Sequence, residues 1–316
     1  MPRNKVQFQK GLPMDEFQRL YGTEEKCHAA LVKMRWPDGF ICPQCQGRKY
    51  SYSAVRLIFQ CSACRKQTSV KAGTVFHRSH VPLTKWFLAI HLLSGAKNDI
   101  AALELARQLA VKWDTAWLVK QKLMEAMRQR NSIYKLAGDV QMDDAYLGGE
   151  KPGKRGRGAD GKAPFVAAVA TREGRPLFVH VRRVPGFTSE AIRTYAEANL
   201  DPKAHVFSDG LSCFNGVDEA GIRHTVIITG GGRPKDPQFK WVNIGISNMK
   251  GAMLGTCRSI AFHHADRYLA AFEWRYNRRF DLAQNFDRLG RAAARTGPQP
   301  YRELADVRRP AAELSG

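Results

Sequence analysis

Residues 140–149 read VQMDDAYLGG and residues 205–210 read HVFSDG. The first stretch alternates apolar and polar, the period of a strand with one face buried, and two glycines end it. It carries two adjacent carboxylates, Asp143 and Asp144. Working outward, 165–171 and 176–184 read as two more strands joined at Glu173-Gly174, 189–199 reads as a helix, and 205–207 as a further strand ending in Ser208-Asp209-Gly210. The order is strand, strand, strand, helix, strand, which predicts an α/β domain. If the first and fourth strands are neighbours, Asp143 and Asp209 converge. Two close carboxylates repel unless a divalent cation lies between them. Oxygen donors with no histidine in either motif suit Mg²⁺ or Mn²⁺ rather than zinc. Two unrelated turn aspartates would give the same spacing. Between the strands, the Gly-rich basic loop 151–162 carries Lys154, Arg155 and Arg157, and reads either as a solvated turn or as a phosphate-contacting loop.

Upstream lies a second chemistry. Cys42, Cys45, Cys61 and Cys64 form C-P-Q-C and C-S-A-C, fifteen residues apart. Two C-x-x-C turns deliver the four thiolates that tetrahedral zinc takes. The residues between read as strands at 49–53 and 56–60, so the segment predicts a zinc ribbon whose folding energy comes from the metal. Cys27, Cys213 and Cys257 have no partner spacing and read as packing residues. An odd cysteine count argues against a disulfide framework. From 82 to 130 the period becomes helical, with Trp86, Ile90 and Leu93 on one face, a break at Val111-Lys112, and Asp114 as the expected N-cap of a helix bearing Lys120 and Lys122. A helix-turn-helix and a plain helical bundle both fit this pattern.

The chain has 316 residues and a net charge of +21, with 44% hydrophobic residues. That apolar content excludes disorder over the whole chain. The longest nearly unbroken apolar run, 163–170, excludes a membrane-embedded protein, because a span needs roughly 20 residues. No signal peptide is read in MPRNKVQFQK, so the expected location is the cytoplasm, on the nucleoid in a bacterium. The positive charge calls for an acidic partner, with nucleic acid first.

The segments FICPQCQGRKY, CSACRKQTSVKAGTVFHRSHVPLTKWFLAIHLL, VQMDDAYLGGE, GKRGRGADGKAPFVAAVATREG, SDGLSCF, WVNIGISNMKGAMLGT and YLAAFEWRYNRRFDL occur in that order over most of the chain. In them the sequence resembles the zinc-ribbon branch of the DDE insertion-sequence transposases, the IS1595 (ISXO2-like) family of the RNase H-like superfamily. The resemblance implies a lead-in at 1–35, a zinc ribbon at 36–75, a helical DNA-binding region at 80–131, an RNase H-like domain with a mixed five-stranded sheet at 136–296, and a tail at 297–316. It implies a transposase that binds terminal inverted repeats, cuts the 3′ ends and joins them to target DNA, acting on double-stranded DNA as at least a dimer when two ends are paired. Structural zinc and catalytic Mg²⁺ or Mn²⁺ are the implied cofactors.

By the same resemblance, Asp143 and Asp209 are the first two catalytic residues and the magnesium ligands, and Asn248 falls where the third metal-side residue is expected. Asp144, Lys250 and Glu273 are auxiliary candidates. Lys250 reads equally as a phosphate contact or a surface residue. Glu273 reads as a rival third ligand or as one half of an ion pair with a nearby arginine. Expected DNA contacts are Lys120, Lys122, Lys154, Arg155, Arg157, Arg278 and Arg279. His263 and His264 are adjacent, so they point apart on a helix and do not share one metal. An asparagine offers a neutral carbonyl oxygen where a carboxylate would carry charge. That departure keeps a second reading open, a relative that has lost catalysis and only binds DNA.

Overall fold

The computed structural model describes residues 9–148, 162–228, 239–257 and 260–305. In chain order its elements are α1 (Met14–Tyr21), α2 (Glu24–Arg35), β1 (Tyr50–Ser53), β2 (Ile58–Cys61), β3 (Gln67–Ser69), α3 (Leu83–Gly95), α4 (Ala102–Leu109), α5 (Trp113–Asn131), β4 (Asp139–Leu147), β5 (Ala163–Arg172), β6 (Arg175–Arg183), α6 (Ser189–Asn199), β7 (His205–Asp209), α7 (Asn215–Glu219), β8 (Arg223–Ile227), α8 (Lys240–Cys257), α9 (Ala265–Asn277), α10 (Asn285–Arg295) and α11 (Tyr301–Ala305). They fall into two compact units, Met1–Met127 with Arg278–Leu304, and Arg128–Asn277 with Ala305–Gly316. Among the described residues no helix is long and apolar enough to cross a membrane.

In the first unit the ribbon is a three-stranded antiparallel sheet, one strand more than the sequence reading located. Phe40 and Phe59 stack with centroids 5.2 Å apart, and Trp36 meets Phe59 edge-on. Behind it the helices form a bundle. α5 is buried at Ala116, Val119, Leu123, Met124, Ala126 and Met127, while Trp113 and Asp114 in its first turn are exposed. It begins at Trp113, which puts Asp114 in its first turn, where a carboxylate favours the helix dipole, rather than at the cap. α10 belongs to this unit too, not to the sheet domain expected to reach residue 296. Its Phe286 ring stacks on Tyr21 at 4.6 Å, and a Cβ at Gly290 would sit 2.5 Å from Met34 Sδ. The flexible end of Met34 on α2 thus lies directly against Gly290.

The second unit is built on a mixed five-stranded sheet in the order β6-β5-β4-β7-β8. β4, β5 and β6 form an antiparallel meander, and β7 and β8 run parallel to β4. The β5–β6 turn uses Glu173 and Gly174 at φ 53° and 67°, the left-handed pair that suits a two-residue hairpin. α6 spans 189–199 as predicted, with Thr188 capping the amide of Ala191. The sequence reading did not locate β8. It is an edge strand with no fully buried position, so it carries no clean alternation.

Alternation in β4 and β5 divides two cores. Val140, Met142, Val166, Ala168 and Ala170 pack with Ile192, Phe214 and Val217 on one side. Phe165, Ala167 and Val169 pack with Val242, Ile246, Met249, Leu269 and Phe272 on the other. Edge strand β6 is covered by α9, whose Asn277 donates to the Val179 carbonyl at 2.8 Å and accepts from its amide at 2.7 Å. Those bonds occupy backbone groups that an open edge would leave to solvent or to another chain.

Candidate functional site

β4 and β7 pair in parallel, with Val140 opposite Val206 and Gln141 opposite Phe207. Two residues further along each strand, that register sets Asp143 beside Asp209. Asp144 joins them: one carboxylate oxygen from each of the three lies within 4.8 Å of the others. The Asp144 amide donates to Asp143 Oδ1 at 2.9 Å, and the Leu211 amide donates to Asp209 Oδ1 at 3.1 Å, which orients both carboxylates. Burial first, then repulsion from Asp144 and Asp209, pushes the Asp143 carboxyl up to about 7, against the pull of the Asp144 amide and Lys250. A divalent cation relieves that repulsion, and three oxygen donors fit one.

α8 covers this end of the sheet. Burial pulls the Lys250 ammonium below its ordinary value, while the neighbouring charges of Asp143 and Asp144 hold it up. The Lys250 side of α8 therefore faces the carboxylates. At 100° per residue, Asn248 lies roughly 160° around the helix from Lys250. Asn243, Asn248 and Lys250 are all exposed, so only the direction around the helix separates them. Asn243 is seven residues before Lys250, within about 20° of the same face. Its side-chain NH₂ donates to the Phe239 carbonyl at 3.0 Å. Asn243 therefore shares the Lys250 side of α8, and Asn248 lies on the other. The sequence reading did not single out Asn243.

Glu273 lies elsewhere. It is fully buried on α9, paired with Arg182 and accepting from the Val181 amide at 3.3 Å. The ion-pair reading holds, with Arg182 of β6 as the partner rather than an arginine on its own helix. His264 Nδ1 meets Arg267 at 2.6 Å, and burial, then His263 and Arg267, push His264 down to about 4.

The four ribbon cysteines converge as their spacing predicts, with one Sγ from each within 4.8 Å of the rest. Each C-x-x-C closes in the same way. Gln46 donates its amide to the Cys42 carbonyl and Arg65 donates to that of Cys61, both at 3.0 Å, and both residues have left-handed φ near 61–62°. A Cβ at Gly47 would lie 3.3 Å from the sulfurs of Cys45 and Cys61, so the loop closes tightly over the thiols. Backbone amides, that of Cys45 first, pull the Cys42 thiol down, whereas against the Gly47 amide the neighbouring Cys64 and Cys61 thiols push Cys45 up, as expected of four crowded thiols without a metal. Four sulfur donors in this arrangement fit a structural zinc.

Residues 135–277 match the family model described as an ISXO2-like transposase domain, and residues 22–67 match the one described as a transposase zinc-ribbon domain. The chain belongs to this IS1595 transposase family. A relative from Halobacterium salinarum, described as an uncharacterized protein in transposable element ISH50, is 25% identical over 221 residues, covering 64% of this chain and 72% of the relative. The catalytic core domain of BIV integrase aligns with a TM-score of 0.27 at 21% identity, covering 43% of this chain and 81% of that one. The transposase domain ends at residue 277, where the second compact unit also breaks.

Two of the lysines expected to face DNA are interior in the transposase. Lys120 is fully buried, with its ammonium 2.7 Å from Asp99 and 2.6 Å from the Ile100 carbonyl. Lys122 is buried as well and donates to the Val75 carbonyl at 3.4 Å. A buried ammonium must be paired, and these two bind the helical unit together instead of reading a surface. Lys154, Arg155 and Arg157 lie outside the described residues. Arg278 and Arg279 are half-buried, and Arg279 lies over the Phe280 ring at 4.0 Å.

Proposed function

We propose that this transposase binds the terminal inverted repeats of its element, cuts at the 3′ ends and joins them to target DNA. The observation that carries the reading is the parallel β4–β7 register, which sets Asp143 and Asp209 side by side with Asp144. An all-oxygen donor set suits Mg²⁺ or Mn²⁺. Such a cation, when bound, activates the attacking oxygen and stabilises the leaving one. The protein's own part is to hold and neutralise. Asp143 releases its proton near neutral pH, Asp209 and Asp144 complete the carboxylate cluster, and Asn243 supplies a neutral carbonyl oxygen from α8. Lys250 offers a positive charge to a phosphate oxygen without the charge of a further carboxylate beside it. Lys154, Arg155, Arg157, Arg278 and Arg279 are the proposed DNA contacts, and pairing two ends calls for at least a dimer.

Incubating the purified protein with a labelled DNA end and Mg²⁺ or Mn²⁺ tests this. The expected products are a 3′ cut and a joined strand, both lost in Asp209→Ala and in Asn243→Ala while end binding persists. Asn248→Ala is expected to cut normally. Because an amide replaces a carboxylate, a DNA-binding relative without catalysis is the second reading. End binding with no cleavage in either metal would establish that one instead.

A further inference from the structure

The N-terminus of α8 is held from within the sheet. Gln141 lies on β4 two residues before Asp143 and points to the same face, between Val169 of β5 and Phe207 of β7. It is 6% exposed. Its Oε1 accepts from the backbone amides of Trp241 at 2.8 Å and Val242 at 3.2 Å. The first four amides of a helix have no partner within it, and here a side chain from another element takes two of them. The Trp241 indole donates to the Gly174 carbonyl at 2.8 Å, a second tie between the start of α8 and the sheet. Further along, Gly245 lies against Val169, where a Cβ would be 3.5 Å from its Cγ2.

This arrangement couples two parts of the site. One strand carries both the Asp143 carboxylate and the acceptor that fixes the helix start. The next residue on that helix is Asn243. Both the rotation and the axial position of α8 therefore depend on a polar bond buried beside the carboxylates. Packing alone leaves a helix free to slide or turn by small amounts, whereas two amides directed at one oxygen do not.

We propose that Gln141 is a positioning residue for the metal site: its side-chain oxygen sets α8 so that Asn243 and Lys250 face Asp143 and Asp209. The proposal rests on the functional reading above, and its test separates the two.

The intact protein is compared with Gln141→Met, which keeps length and packing but has no comparable acceptor, and Gln141→Glu, which restores the acceptor. Amide hydrogen exchange is read at Trp241 and Val242 in metal-free protein, and Mn²⁺ binding is read by calorimetry. Gln141→Met is expected to speed exchange at the two amides about tenfold or more relative to the β4–β5 amides, and to weaken Mn²⁺ binding several-fold. Gln141→Glu is expected to keep the two amides protected. Unchanged exchange in Gln141→Met overturns the cap. Faster exchange with unchanged Mn²⁺ binding overturns the positioning role. If Asp209→Ala in the parent protein leaves Mn²⁺ binding unchanged, the metal-site reading fails instead, whatever Gln141 does at the amides.

Discussion

Asp143 combines burial with two carboxylate neighbours, so the metal-free protein holds a proton there up to about pH 7. The folded value lies above the ordinary aspartate value. The folded state thus binds the proton more tightly than the unfolded chain, and stability falls as pH rises from about 4 to 7. Asp143→Asn removes the repulsion. In metal-free protein it is expected to raise unfolding stability by roughly 2–4 kcal/mol at pH 8 and by little at pH 4, a contrast that thermal melts at the two pH values measure. Lys120 illustrates the opposite use of charge. Its pair with Asp99 is buried, so Lys120→Ala removes a buried ion pair and is expected to destabilise by about 3–5 kcal/mol. A denaturation curve checks that loss. If Lys120 contacted DNA instead, the truncation would weaken DNA binding and leave stability nearly unchanged.

At the scale of elements, the ribbon and the strand ends differ in what holds them. The ribbon has small strands, and its loops close over four thiols. Gly47→Ala is expected to lower zinc retention under a chelator, because a methyl group would press on Cys45 and Cys61, and Cys42→Ser to release the metal, both read as zinc content per chain. The end of β7 is held by a side-chain relay instead. Ser208 Oγ meets His224 Nε2 at 2.7 Å, and His224 Nδ1 meets Asp218 at 2.7 Å. Serine, histidine and aspartate in this order have the geometry of an acyl-transfer triad, but Ser208 is fully buried and no substrate can reach it. The relay ties β7 and β8 together next to Asp209. His224→Ala is expected to cost about 1–3 kcal/mol of stability by leaving Ser208 and Asp218 without this partner, measured by urea unfolding.

Over the whole molecule the charge of +21 is the dominant electrostatic fact. Each phosphate contact releases counterions, so DNA affinity is expected to fall at least about tenfold between 50 and 200 mM salt. Filter binding or fluorescence anisotropy at the two salt concentrations measures it, and a flat response would remove phosphate contacts as the basis of binding. The chain leaves the first unit after residue 127 and returns to it at residue 278, so the C-terminal helix α10 completes the bundle that the N-terminal helices begin.

Local chemistry was legible without coordinates. Period-two alternation located β4, cysteine spacing identified the ribbon, and aspartates on the first strand and at the end of the fourth pointed to a candidate site. Those signals depend on near neighbours along the chain. Tertiary structure alone decided the rest. Lys120 and Lys122 look like any basic helix face until Asp99 and Val75 are brought to them. Asn248 and Asn243 differ only in which way α8 is turned, and that is set by a hydrophobic stripe packed on the sheet and by Gln141 about a hundred residues earlier. The apolar stripe of α10 fits a sheet domain as well as a bundle, and only its contacts with α1, α2 and α3 distinguish them. Burial, rotation and partner choice are fixed by contacts distant in sequence, and no window of residues contains them.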